Sequence, residues 1–288
     1  ITFSTQPSLG SSRPPQIVLW SIYCLDLHFS GRMHLKSKHF TIIILSYNNE
    51  RWAEKNVNSA INQAYDNYDL VYIDDASTDN TKNIVDKCLK SWDSKKGILK
   101  YYNNSENLRA LPNLYTAVDC AKPGSIIVAL DGDDWLANKN VLSELNSVYQ
   151  DESVWITAGS YLESVGGRIV RPSIPKDYWD KNIRQQHWSF SHLRTFKREL
   201  FMSIQKQDFL DEDGDFFKFT WDRVIMYPMI EMSGKEHFIA IGKVMYIYNK
   251  ENPISVDKVH RSEQLRIESV LVSKQPYDKL RVLQIEEL

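Results

Sequence analysis

Cysteine is scarce in this chain. Its 288 residues contain three, Cys24, Cys88 and Cys120, too far apart to suggest a metal-binding spacing or a disulfide framework. An odd and sparse set of thiols suits small core residues in a reducing compartment and predicts a soluble, cytoplasmic protein. Charge of one sign is also lacking. Lys and Arg number 35 against 37 Asp and Glu, a net charge of −2, which argues against a dedicated nucleic-acid or anionic-membrane binder. No apolar run is long enough to span a bilayer. The stretch 17–29 is short and interrupted by Asp26, and without a basic segment before it, it makes a poor signal peptide. There is no internal repeat. Residues 1–15 are rich in Ser, Pro, Thr and Gln and read as a loop or disordered arm, so residues 1–37 form an extension.

What is present is a core's worth of apolar residues, 42% of the chain, with eight Trp and fifteen Tyr. From Lys38 onward the pattern is regular. Phe40–Leu45 is β-branched and apolar and ends at Ser46-Tyr47-Asn48-Asn49-Glu50. A helix follows over 52–63. A second strand, 69–73, stops at the polar run Asp74–Thr81, and a helix over 82–92 follows. A short strand at 98–102 and a helix at 113–121 lead to Ile126–Leu130, five apolar residues in a row. Strand and helix alternating in this rhythm predict βαβ units and a parallel sheet with helices on both faces. Crossovers of one hand gather the strand ends on one edge, so Asn48, Asp75 and Asp131 should line one crevice, where open α/β sheets bind ligands.

The strand at 126–130 runs into Asp131-Gly132-Asp133-Asp134-Trp135. Carboxylates this crowded repel unless a cation sits among them, and a divalent ion held by one or two carboxylates plus phosphates is the usual answer. A polar turn is the competing reading, with Asp134 as N-cap of a helix over 136–149. Gly132 would allow a sharp turn or close approach to a ligand.

As a set, Ile42–Glu50, Ile73–Thr81 and Leu130–Leu136 resemble the three N-terminal motifs of the family-2 glycosyltransferases, in order and in spacing. The resemblance covers residues 38–140. It implies a GT-A fold: an α/β, Rossmann-like and mostly parallel central sheet flanked by helices, with a smaller mixed acceptor-side region. It also implies a nucleotide-diphosphate sugar donor, usually a UDP-sugar, a divalent metal (Mn2+ or Mg2+), and inversion at the anomeric carbon. Residues 38–250 would then be the catalytic domain, with 38–140 as the nucleotide-sugar half, 141–250 as the acceptor half and 251–288 as a helical tail.

The resemblance implies a role for each matching position. Tyr47 would pack against the base, Asp75 would accept a hydrogen bond from the uracil N–H, and Glu50 would reach the ribose. Asp131 would contact the ribose or the metal shell, and Asp133 the metal itself. The family's Gly-rich stretch is replaced by Asn107–Asn113, which has no glycine, although Arg109 and Asn113 remain placed to touch the donor. The general base, usually preceded by Glu, corresponds to Asp222 after Trp221. Asp215 and Glu231 are the reserve bases. His192 is a candidate for an acceptor or donor-phosphate contact, and His260 for the histidine that completes the metal shell in some relatives. The segment 192–196 with 222–232 looks like a viral, collagen-type sugar-transferase branch.

Elsewhere, the residues predict a hairpin of 154–161 with 169–170 across Gly166-Gly167 and a polar active-site loop over 171–186. Residues 188–196 read as a strand with one exposed face. Residues 237–241 and 244–249 read as two strands around Gly242-Lys243. The four acids around Gly214 do not complete a calcium loop and read as solvated. An amphipathic helix over 263–274 suits packing on the domain or on a second subunit of a homodimer. The expected partners are a nucleotide-sugar and a glycan or glycoprotein acceptor. Two other classes stay open: a catalytically inactive nucleotide-sugar-binding module, and a sugar nucleotidyltransferase. The latter usually has a Gly-rich basic loop after the first strand, which residues 46–50 lack.

Overall fold

The computed structural model describes residues 35–254 and 256–284; the expectations for residues 1–34 lie outside them. The first half follows the predicted rhythm: β1 Phe40–Ser46, α1 Ala53–Ile61, β2 Tyr68–Asp74, α2 Thr81–Leu89, β3 Leu99–Asn103, α3 Ala110–Asp119 and β4 Ile126–Asp131. Then come β5 Trp135–Leu136, α4 Val141–Val148, β6 Ile156–Glu163, β7 Ile169–Val170, β8 Arg194–Lys197 and α5 Arg198–Met202. The chain continues through α6 Trp221–Ser233, β9 Phe238–Tyr248, α7 Val256–Val259 and α8 Arg261–Ser273. One sheet orders the strands β3-β2-β1-β4-β8-β6-β9-β5, with β7 on β6. β1 to β4 are parallel, β8 enters antiparallel between β4 and β6, and β9 pairs parallel to β6.

Successive residues of a strand point to opposite faces, and here both faces are covered. Phe40, Ile42 and Ile44 of β1 join Val57, Leu70, Val85 and Leu145 on one side. Ile43 joins Leu114, Ile127, Phe196 and the apolar face of α6 on the other. An apolar strand buried on both faces explains the unbroken runs in β1 and β4.

Four expectations are corrected. The helix predicted over 136–149 starts at Val141, because Trp135 and Leu136 pair with Ile247 and Tyr246 of β9. The two strands expected over 237–249 are one, Phe238–Tyr248. The register against β6 slips beside Ala158–Ser160, so Gly242 and Lys243 are absorbed as a bulge without breaking the strand. Of 188–196, only its last three residues enter β8, and that strand has no exposed face. Arg194, Thr195 and Phe196 are all at most 4% exposed because β8 is a central strand. Finally, the polar loop 171–186 puts Tyr178 and Ile183 into the core, so much of it is structural.

The C-terminal helix packs on its own domain. Ile267 and Leu271 of α8 lie in the core cluster beside α6. Beyond it, the Leu280 N–H donates to the Met232 carbonyl. No helix among the described residues is long and apolar enough to cross a membrane.

Candidate active site

Parallel pairing fixes the crevice. Leu45 lies opposite Asp131 and Ser46 opposite Asp74, so the motifs after β1, β2 and β4 emerge side by side. The chain after β4 runs against the end of β1, with the Gly132 N–H donating to the Leu45 carbonyl at 2.8 Å. A Cβ on Gly132 would stand 2.6 Å from the Ser46 Cβ and 2.7 Å from the Leu45 carbonyl oxygen. Close approach is therefore what Gly132 supplies. Gly132→Ala is expected to cost about 1–3 kcal/mol, the range for overpacking a well-filled interior. Urea unfolding measures it, and a loss below about 0.5 kcal/mol, the scale of surface changes, would contradict the tight approach.

Strain concentrates here. The described non-glycine residues with positive φ are Asn48, Ala76, Arg109 and Thr220. The first two follow Tyr47 and Asp75, and Thr220 precedes Trp221 and Asp222. Such backbone costs of order 1–3 kcal/mol per residue and clusters where function fixes a geometry.

The side of the crevice expected to take the donor is organised around Asp75, which is buried. Its Oδ1 accepts from Asn104 Nδ2 (2.8 Å) and the Leu108 N–H (2.9 Å), and its Oδ2 from the Arg109 N–H (2.8 Å). A carboxylate offers about four lone-pair sites, so one acceptor position remains. Asp75 does not cap α2, whose N-cap position is Asn80. Asn113 is spent on the same loop, donating to the Arg109 carbonyl and accepting from Asn104. The Arg109 guanidinium lies over the Phe219 ring at 5.6 Å, and His260 stacks on that ring at 4.5 Å. Tyr47 is 38% exposed and thus available as a platform. Glu50 accepts from the Asn80 N–H at the start of α2.

The floor is acidic. Asp131, Asp134 and His192 each aim a ligand atom into a group spanning less than 4.8 Å. Asp134 is not a helix cap: its Oδ2 accepts from the Tyr246 hydroxyl (2.6 Å) and its Oδ1 from the Asn249 N–H (2.7 Å). Asp133 instead accepts from Asn252 Nδ2 at 2.7 Å. Burial holds the Asp131 carboxyl above the usual range. Asp133 and Asp222 push it the same way, while Arg194 and Tyr246 oppose. Asp134 is raised by burial and then by its two acidic neighbours. Burial, followed by Arg194, lowers the His192 imidazole and keeps it neutral. His192 stacks between Tyr246 (4.5 Å) and Tyr248 (5.0 Å). Desolvated carboxylates beside a neutral imidazole fit a divalent cation.

Asp222 opens α6 with its side chain 24% exposed. Arg194 Nη2 donates to its Oδ2 at 3.1 Å. Of the reserve bases, Asp215 is exposed in the turn 211–215, whose backbone N–H groups bond to Asp211. Glu231 is excluded from the crevice chemistry: both its oxygens are bound by Arg184 at 2.7 Å. Sequence reasoning missed Arg194, Asn104 and Tyr246. The i, i+2 spacing of Tyr246 and Tyr248 on one strand face was the available clue. Arg194 left none, since alternation alone reads it as solvent-facing.

The motifs have relatives. Residues 41–210, more than half of the chain, match glycosyl transferase family 2. The chain belongs to this family. It is a glycosyltransferase. An uncharacterized glycosyltransferase of Haemophilus influenzae is 28% identical over 73% of this chain and 82% of its own length. The Escherichia coli enzyme WfgD, a UDP-Glc:alpha-D-GlcNAc-diphosphoundecaprenol beta-1,3-glucosyltransferase, is 33% identical over 46% of this chain and 51% of its own. The glycosyltransferase therefore spans about half the length of that relative. Among solved structures, Staphylococcus aureus TarS superposes with a TM-score of 0.57 at 20% identity, over 81% of this chain and 39% of TarS. The mannosyltransferase PcManGT of Pyrobaculum calidifontis, solved with GDP-Man and Mn2+, gives 0.56 at 19%, over 83% and 66%. These likenesses establish the GT-A fold.

Proposed function

We propose that this glycosyltransferase moves a sugar from a UDP-sugar to a hydroxyl of a glycan or glycoprotein acceptor, with inversion. The observation that carries the reading is the convergence of Tyr47, Asp75 and Asp131 from three parallel strand ends on a floor that also holds Asp222. WfgD is named for a UDP-Glc donor, and TarS has been solved with UDP-GlcNAc. Both favour UDP over the GDP-mannose bound by PcManGT.

Tyr47 provides a face for the base, and Asp75 offers its remaining acceptor position to the uracil N–H. By the family's motif Asp131 and Asp133 would hold the metal, with Asp134, bound by Tyr246 and Asn249, and His192 grouped beside Asp131. A bound divalent ion supplies positive charge that offsets the diphosphate's growing negative charge. Asp222 takes the acceptor hydroxyl's proton as that oxygen bonds to the anomeric carbon. The nucleotide departs on the opposite face, so a single displacement inverts the centre. Arg109 is placed to meet a phosphate at the crevice mouth.

Calorimetric titration with UDP, with and without Mn2+, on wild type and Asp133→Ala tests the reading. The expected result is metal-dependent binding that weakens at least tenfold in the variant, about 1.4 kcal/mol or more. Absence of UDP binding under both conditions would overturn the UDP-sugar assignment. Metal-dependent binding with no transfer or hydrolysis of any UDP-sugar would favour an inactive binding module.

A further inference from the structure

Arg194 occupies a position that donor binding alone does not explain. It lies on β8 opposite Ala129 of β4 and Ala158 of β6, mid-sheet, and is 4% exposed. A guanidinium is costly to bury unless its donors are used. Nη2 donates to Asp222 at 3.1 Å and Nη1 lies 3.3 Å from His192 Nδ1, while Nε is buried without a hydrogen-bond partner. The plane sits 5.1 Å over the Trp221 ring, which restrains it at the residue next to Asp222. On the far side, His192 Nδ1 is 3.7 Å from Asp131 Oδ2. One rigid, planar fork thus ties the acid that opens α6 to His192, which is held beside the strand-end acid by its stacking on Tyr246 and Tyr248.

We propose that Arg194 is a positioning residue for sugar transfer: it grips one oxygen of Asp222, leaves the other for the acceptor hydroxyl, and fixes the base relative to the donor floor through His192. This rests on the assignment of Asp222 as base. Arginine suits the task because its fork reaches two partners at a fixed angle, whereas a lysine ammonium on a flexible stem holds only one of them well. The chain brings the two partners together from residues 28 apart (Arg194 and Asp222) and from within one bend of each other (His192 and Arg194). Neither contact requires the donor to be present, so the effect is on the rate of transfer more than on donor affinity.

Arg194→Gln and Arg194→Lys in the full chain, compared with Asp222→Asn and the double variant Arg194→Gln/Asp222→Asn, test this. The readouts are UDP affinity with Mn2+ by calorimetry and kcat and KM for UDP-sugar hydrolysis or transfer. Arg194→Gln should lose about 100-fold in kcat, the cost of a misplaced catalytic group. Its UDP affinity and donor KM should stay within about threefold of wild type, well under the tenfold that 1.4 kcal/mol represents. Arg194→Lys should recover part of the loss. Adding Arg194→Gln to Asp222→Asn should cost little more, because residues acting as a unit are non-additive. Three outcomes would overturn the proposal: kcat unchanged in Arg194→Gln, losses that multiply in the double variant, or failure of both Arg194 variants to fold, which would make the residue structural. Wild type that fails to bind UDP would instead count against the donor assignment, so the two failures are separable.

Discussion

Asp222→Asn should lower kcat for sugar transfer by about 100- to 10,000-fold while leaving UDP affinity nearly unchanged. General-base catalysis by a positioned side chain contributes on that scale, about 3–5 kcal/mol of barrier. The substitution is isosteric. The amide oxygen still accepts from Arg194 Nη2, now 3.1 Å from Oδ2, so the start of α6 should hold. Only the ability to take a proton disappears. The carboxylate is also 24% exposed, which leaves an acceptor hydroxyl a way in, whereas Glu231 in the same helix has none. Steady-state kinetics with calorimetry check the split between kcat and affinity. A kcat within about fivefold of wild type, roughly 1 kcal/mol, would remove Asp222 from the base role.

Glu231→Ala should destabilise the protein by about 3–5 kcal/mol, the cost of breaking a buried ion pair from one side. The side chains of Arg184 and Glu231 are 2% and 4% exposed, and both bonds between them are 2.7 Å. Glu231 also accepts the Tyr277 N–H at 3.0 Å, and Arg184 donates to the Leu271 carbonyl at 3.1 Å. The pair therefore ties the 171–186 loop, α6, α8 and the chain beyond α8 together. Alanine would strand the guanidinium in the core and leave the Tyr277 N–H without its acceptor. Replacing both charges by leucine should recover most of the loss, because a packed apolar pair avoids desolvating two ions. Urea unfolding of the single and double variants measures this. A single-variant cost below about 1 kcal/mol would place the pair among the weak surface-type bridges.

Glu231 also shows why part of the site was illegible in the sequence. Asp222 and Glu231 are both acids of one helix, and the resemblance offered the first as base with the second in reserve. Arg184, 47 residues upstream of Glu231, decides between them. Asp134 is a second case. Its place ahead of a helical stretch made it a natural cap, but β9 brings Tyr246 and Asn249 to it from more than 110 residues away. Asp75 is a third. The resemblance gave it a bond to the base, and nothing local showed what else would hold it. In the structure Asn104 and the backbone at 108–109 bind it, so it also anchors the loop after β3.

The sequence by itself determined the four parallel strands, the sides they bury and the edge where the three polar motifs meet. Local patterns carry that information: unbroken β-branched runs need cover on both faces, and right-handed crossovers send every strand end the same way. Only the tertiary structure decided which carboxylates are spent and which face the crevice. It also decided that the strand at 194–197 is central and that Arg194 lies between His192 and Asp222. Those facts depend on pairings between segments far apart in the chain. A buried charge is defined by its partner, and its own neighbours in sequence do not reveal which partner the fold supplies.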